Sequence, residues 1–273
     1  MSRIASGPSV PRIRLIATDI DGTLLNSDNQ LPAANRRALE QALAQGVQLA
    51  LVTARKQSST FAIAELLGLP CACIAHNGAR AWDWDWRELW HRVVDLELAR
   101  DIAQFADRQS IPLVITVDEV NYYSRAYPVR LDASQLDERR VKASIDALHA
   151  PPTRIIAAGN EGVAALCDMF GREPATLVVH RYYSRNGALA SAVITHPQAT
   201  KQDALAALIR ILDIDAAEVL TIGDAEADAG MLRWAGIGVA MGNSMPEARA
   251  AADWVAPTHD EAGFAAAISR FVL

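Results

Sequence analysis

The segment Asp19-Ile20-Asp21-Gly22-Thr23 sets two carboxylates two residues apart at the end of an apolar run, Ile13 to Asp19. Other apolar runs also end on polar residues: Val47 to Thr53 on its threonine, Ala72 to Ala75 shortly before Asn77, and Val219 to Ile222 shortly before Asp224 and Asp228. If these runs are neighbouring strands, four carboxylates meet at one sheet edge. They repel one another there, so cations are needed to keep them ionised. A divalent metal and Lys201 are the available supply. Oxygen-only ligands, with phosphate as the anion a lysine would face, favour magnesium over zinc or copper. Lys201 opens a helical stretch, where a positive charge opposes the helix dipole, and that placement favours a task facing an anion.

The elements that must position these residues follow from periodicity. Ile13 to Asp19 is an apolar run with β-branched content, as in a strand buried on both faces of a parallel sheet rather than an alternating surface one. Pro32 to Gln45 has helical spacing through Ala38, Leu39 and Ala42, with proline in the first turn and Gly46 at the cap. Strand Val47 to Thr53, helix Ser58 to Leu67 and strand Ala72 to Ala75 continue the alternation. It resumes with helix Lys201 to Leu212, strand Val219 to Ile222, helix Ala227 to Ala235 and strand Ile237 to Ala240. Strands alternating with helices predict an α/β core with a parallel, Rossmann-like sheet, whose ligands gather at the carboxyl ends of the strands.

Between these portions, from about residue 82 to 190, strand-like pairs are separated by helical stretches, Asp95 to Arg108 and Asn160 to Met169. The expected strands are Ala79 to Trp84, Glu88 to His91, Leu113 to Val117, Val120 to Ser124, Arg154 to Ala158, Thr176 to Tyr182 and Leu189 to Ile194. The expected division is a core of residues 1–81 and 191–273 with an inserted α+β domain over residues 82–190.

Bulk properties narrow the classes further. The chain has 273 residues, 51% hydrophobic and 21% charged, which suits a globular protein and argues against a disordered or fibrous one. A net charge of −6 gives no general attraction to nucleic acid or anionic membrane, so any anionic substrate needs a local positive site. Cys71, Cys73 and Cys167 make an odd count without a disulfide framework, which points to a reducing cytoplasm. Residues 1 to 12 lack the apolar core of a signal peptide, and no apolar stretch is long enough to span a bilayer. The oligomeric state is not legible.

The segments DIDGT at 19 to 23, VTAR at 52 to 55, Lys201, and GDAEAD at 223 to 228 resemble, in order, the four motifs of haloacid dehalogenase superfamily phosphatases. The position of the insertion is similar to the Cof-type, subfamily IIB phosphatases. So are Asn77-Gly78-Ala79, the MGNS segment at 241 to 244 and the stretch Thr258 to Gly263. The resemblance implies a magnesium-dependent phosphatase acting on a small phosphomonoester, such as a sugar or related metabolite phosphate. It makes Asp19 the nucleophile that forms an aspartyl-phosphate and Asp21 the general acid and base. It implies magnesium on Asp19, the Asp21 carbonyl and Asp224, with Asp228 and Asn243 as auxiliary residues. Thr53, Lys201, Asn77 and Gly22 fall to phosphate binding, Thr23 to fixing the turn, and the inserted domain to a cap that sets specificity.

Three positions depart from the subgroup's pattern: Ala54 and Gln202, where it has glycine, and Ala227, where it has asparagine. Losing an asparagine that orients the metal shell lowers metal affinity or activity by about 10 to 100-fold. The Ala227 and Ala54 departures keep a weakened phosphate-ligand sensor open; a phosphotransferase or mutase of the same fold is the other alternative. Trp82, Trp84, Trp86 and Trp90 share one parity, so they either pack within the insert or face a ligand from one side. His76, beside Asn77, reads as a structural histidine.

Overall fold

In the computed structural model the described residues are 12–128, 137–170, 176–183 and 187–273, so all but one residue of the amino-terminal segment 1–12 lies outside them. In chain order the elements begin with β1 Leu15–Thr18, α1 Ala33–Ala44, β2 Gln48–Val52, α2 Gln57–Leu67, β3 Ala72–Ala75, β4 Arg80–Trp82 and β5 Glu88–His91. They continue with α3 Leu96–Gln109, β6 Leu113–Val117, β7 Val120–Tyr123, β8 Glu138–Arg140, β9 Arg154–Ala158, α4 Asn160–Phe170, β10 Val178–Tyr183 and β11 Leu189–Thr195. The last are α5 Lys201–Leu212, β12 Val219–Gly223, α6 Ala229–Trp234, β13 Ile237–Ala240, α7 Pro246–Ala251, β14 Trp254–Val255 and α8 Gly263–Phe271. The chain divides into two compact units. The first is Met1–Leu51, Leu67–Cys71 and Leu205–Leu273; the second is Val52–Leu66 and Ala72–Ala204.

The first unit holds the parallel strands β14, β13, β12, β1 and β2 in that order. β1 is central and buried at every position, as its uninterrupted apolar sequence requires. It pairs Thr18 with Ile222 on one side and with Leu51 on the other. Helix α1 buries Ala38, Leu39 and Ala42, the periodic positions of the sequence, and packs against α8. The expected Rossmann-like parallel sheet is therefore present.

In the second unit β3, β4 and β5 run antiparallel in sequence. A six-stranded sheet has the order β10-β11-β9-β6-β7-β8, antiparallel throughout except for β7 and β8. Ile102, Ala103 and Ala106 of α3 and Val163 and Leu166 of α4 share a core with Leu113, Ile115, Ile155 and Ile194 of the sheet. Asp95 caps α3 by accepting the Leu98 N–H at 3.0 Å.

Some expectations are corrected. Helix Ala227 to Ala235 instead begins at Ala229, after a tight turn at Glu226–Asp228. The charged strand β8 and the two-residue β14 had no hydrophobic pattern to betray them. The four tryptophans do not form one stripe: Trp84 and Trp86 lie between β4 and β5, and Trp90 pairs with Ala81 while Trp82 pairs with Glu88 across a register shift. Trp82 is buried against the edge of Phe61, Trp86 stacks on Phe61 at 4.5 Å, and Trp90 donates to the Gly78 carbonyl at 3.1 Å. No helix among the described residues is long and apolar enough to cross a membrane.

A polar network lies inside the second unit. Fully buried His76 meets Glu119 at 2.9 Å through Nε2, and burial pushes its imidazole down to about 4. For Glu119, burial acts upward, but hydrogen bonds from His76, the Gln57 N–H and Arg80 outweigh it and hold the carboxyl at about 2. Both values lie below the ordinary ones, so on acidification the unfolded chain takes up each proton first. Stability present above pH 6.5 is thus lost towards pH 4 through His76, and from 4.5 towards 2 through Glu119. His180, pushed down to about 4 by burial, shares the upper window. Thermal unfolding midpoints should fall steadily as pH drops from 6.5 to 4, and His76→Gln should make that slope shallower. An unchanged slope in the variant would remove His76 from the account.

Candidate active site

In the first unit β1 delivers Asp19, and β12, one pairing position away, delivers Asp224 after Gly223. The Asp19 N–H continues the ladder by donating to the Ile222 carbonyl at 2.9 Å. Asp228 arrives from the tight turn that follows. One carboxylate oxygen from each of Asp19, Asp224 and Asp228 lies within 4.8 Å of the others, with Asp19 and Asp228 buried. Glycines make that approach possible. A Cβ on Gly22 would sit 2.4 Å from Asp224 Oδ2, and its φ of +70 is one that L side chains rarely adopt. A Cβ on Gly223 would sit 2.6 Å from the Asp228 side chain.

Each surrounding residue fixes part of this arrangement. Thr23 Oγ1 donates to Asp224 Oδ1 at 3.2 Å. Asp228 Oδ2 accepts the N–H groups of Asp224 (3.0 Å) and Ala225 (2.9 Å), so it holds the GDAEAD turn as well as facing the cluster. Asn243 donates through Nδ2 to the Gly22 carbonyl at 2.9 Å and accepts the His259 N–H at 3.0 Å. It thereby ties the turn after β1 to the carboxy-terminal stretch. Asp21 lies in that turn with extended backbone (φ −77, ψ 128) and an exposed side chain.

The second unit carries Thr53, Asn77 and Lys201. Thr53 follows β2, is buried, and accepts the Arg55 N–H on Oγ1 at 3.1 Å. The next carbonyl, Ala54, takes a hydrogen bond from the buried guanidinium of Arg154 at 2.8 Å. The Asn77 N–H donates to the Thr53 carbonyl at 2.9 Å, while its side-chain Nδ2 donates to the Tyr182 hydroxyl at 3.0 Å. Asn77 Oδ1 is buried without a hydrogen-bond partner. Lys201 is the first residue of α5 and is only 3% exposed. Thr200 caps that helix, accepting the Asp203 N–H at 3.0 Å and donating to its carboxylate at 2.7 Å.

Asp19, Gly22, Asp224, Asp228 and Asn243 are therefore together in the first unit, and Thr53 and Asn77 are together in the second. Tyr182 and Arg154 had no sequence signal, since each sits in an ordinary strand and its partner is distant in the chain. Three carboxylate oxygens of this spacing fit a hard divalent cation such as magnesium, which takes few protein ligands and keeps water on its remaining positions.

The model of the haloacid dehalogenase-like hydrolase family matches residues 16–268. Phosphatase YwpJ of Bacillus subtilis (strain 168) is 29% identical over 279 aligned residues, 93% of this chain and 98% of the relative. Putative phosphatase YxeH of the same organism is 31% identical over 273, covering 95% and 98%. Among solved structures, the subclass IIB sugar phosphatase BT4131 shares the fold with a TM-score of 0.79 at 24% identity, over 94% of this chain and 98% of its own. Matched over nearly its whole length, the chain belongs to the haloacid dehalogenase-like hydrolases, as a phosphatase of that family.

Proposed function

We propose that the chain is a magnesium-dependent phosphatase that hydrolyses a small phosphomonoester, a sugar or related metabolite phosphate, through an aspartyl-phosphate in the cytoplasm. The observation that carries this reading is the clustering of Asp19, Asp224 and Asp228 at the ends of paired parallel strands. Asp19, Asp224 and the Asp21 carbonyl would hold the magnesium, with Asp228 beside them. When bound, the ion supplies charge neutralisation and polarises the phosphoryl oxygens.

The chain's own residues then divide the work. The Asp19 carboxylate attacks phosphorus, and the bond to the leaving oxygen breaks while Asp21 gives that oxygen its proton. In the second displacement Asp21 takes a proton from water, whose oxygen attacks phosphorus and releases the Asp19 carboxylate. The exposure of Asp21 suits a group that must exchange protons with solvent and leaving group. Thr53, Lys201, Asn77 and Gly22 bind phosphate oxygens, and residues 82–190 act as the cap that selects the leaving group.

The altered position Ala227 is compatible with activity. Its turn is held by the two backbone hydrogen bonds to Asp228, which need no side chain at 227. Ala54 contributes its carbonyl to Arg154, a contact independent of residue type.

Purified protein screened on a panel of phosphomonoesters should release phosphate only with magnesium, and Asp19→Asn and Asp21→Asn should each lose that release. Undiminished turnover in Asp19→Asn sinks the nucleophile assignment. Asp228→Asn should raise the magnesium concentration for half-maximal activity by about 10 to 100-fold, the range for residues that orient metal ligands. An unchanged magnesium requirement would reduce Asp228 to a turn-former.

A further inference from the structure

The segments that carry Thr53 and Asn77 are joined along their backbones: the Asn77 N–H donates to Thr53 O, and the His76 N–H to Arg55 O, both at 2.9 Å. One carboxylate, distant in sequence, spans the two. Glu119 lies at the tip of the β6–β7 hairpin. Its Oε2 accepts the N–H of Gln57, the first residue of α2, at 2.9 Å. Its Oε1 accepts from His76 Nε2 at 2.9 Å and from Arg80 Nη1 at 3.1 Å.

The backbone it grips does not favour its own shape. His76, Asn77 and Gly78 have consecutive φ values of 51, 57 and 106, and such left-handed runs persist only where the surroundings impose them. Glu119 is itself left-handed, at φ 66 after Asp118 at 47, in the two-residue turn that lets Val117 pair with Val120. Neutral imidazole donates from one nitrogen only, and here the unpartnered Nδ1 leaves Nε2–H as the donor to Glu119. Arg154, through the Ala54 carbonyl, holds the same Thr53 segment from β9.

We infer that Glu119 is a positioning residue for phosphate binding: its carboxylate sets the placement of Thr53 and Asn77 without touching substrate. The inference rests on the reading that those two segments bind phosphate. A carboxylate that served stability alone would change the folded fraction and leave the affinity of folded enzyme as it was.

The test compares full-length wild type, Glu119→Gln and Glu119→Ala in magnesium buffer. Measurements are KM and kcat on the best substrate of the panel, calorimetric binding of inorganic phosphate, and hydrogen exchange at residues 53–57 and 76–78. Glu119→Ala should raise KM and the phosphate Kd together by about tenfold, with kcat within about threefold, as expected for lost hydrogen bonds to a charged group. Glu119→Gln, which keeps an acceptor for the Gln57 N–H, should raise them by about threefold. Exchange should quicken in those two segments in both variants and stay unchanged in β9 and α3. Unaltered KM and phosphate Kd in Glu119→Ala overturn the inference, whatever happens to its Tm. If wild type binds phosphate without hydrolysing an ester, the proposed function fails and the phosphate Kd still decides Glu119. If wild type binds no phosphate, the reading on which the inference rests fails, and the inference with it.

Discussion

Three aspartate carboxylates are held with ligand oxygens inside 4.8 Å of one another, and two of these side chains are buried. Like charges about 4 Å apart repel by about 1 kcal/mol in water and about 4 kcal/mol at the effective dielectric of a protein surface. The carboxylates do not choose that company. Parallel pairing of β1 with β12, Thr18 opposite Ile222, brings Asp19 and Asp224 out at neighbouring strand ends, and glycine at 22 and 223 removes the Cβ atoms that would otherwise occupy the space. The fold thus concentrates negative charge at one spot, and a cation there turns a destabilising cluster into a site.

The supporting residues follow from this constraint. Asp228 is drawn into the cluster by the turn it caps, so the same oxygen that accepts two N–H groups keeps the turn closed. Thr23 and Asn243 use neutral hydrogen bonds to Asp224 and to the Gly22 carbonyl, fixing the acidic residues without adding charge. In the second unit the problem is the reverse. Arg154 and Lys201 are buried cations, and Glu119 and backbone carbonyls are among the groups placed to receive positive charge and N–H donors. Burial without such partners costs several kcal/mol, so these contacts specify one arrangement of the Thr53 and Asn77 segments.

Much of this was readable from residue types. Continuous apolar runs such as Leu15–Thr18 and Ala72–Ala75 need burial on both faces, so their strands and the parallel sheet follow from hydrophobic pattern. The acidic cluster was readable because Asp19 and Asp224 fall immediately after such runs. Tertiary pairing was not. Nothing local links Glu119 to His76, or Tyr182 to Asn77, since each contact joins residues far apart in the chain. The tryptophans misled because their spacing implies an unbroken strand, whereas Trp84 and Trp86 fall between β4 and β5 and Trp90 pairs with Ala81. The start of α6 misled because Asp228 uses its side chain to close a tight turn where helical spacing alone would begin a helix.

The central claim is that the Asp19, Asp224 and Asp228 cluster is a built site for one divalent cation. Calorimetric titration of magnesium into the metal-free protein, beside Asp224→Ala, tests it most directly. The account predicts one magnesium per wild-type chain and no binding at that site in Asp224→Ala, with the variant still folded. Equal magnesium binding by the two proteins, or none by a folded wild type, would contradict it.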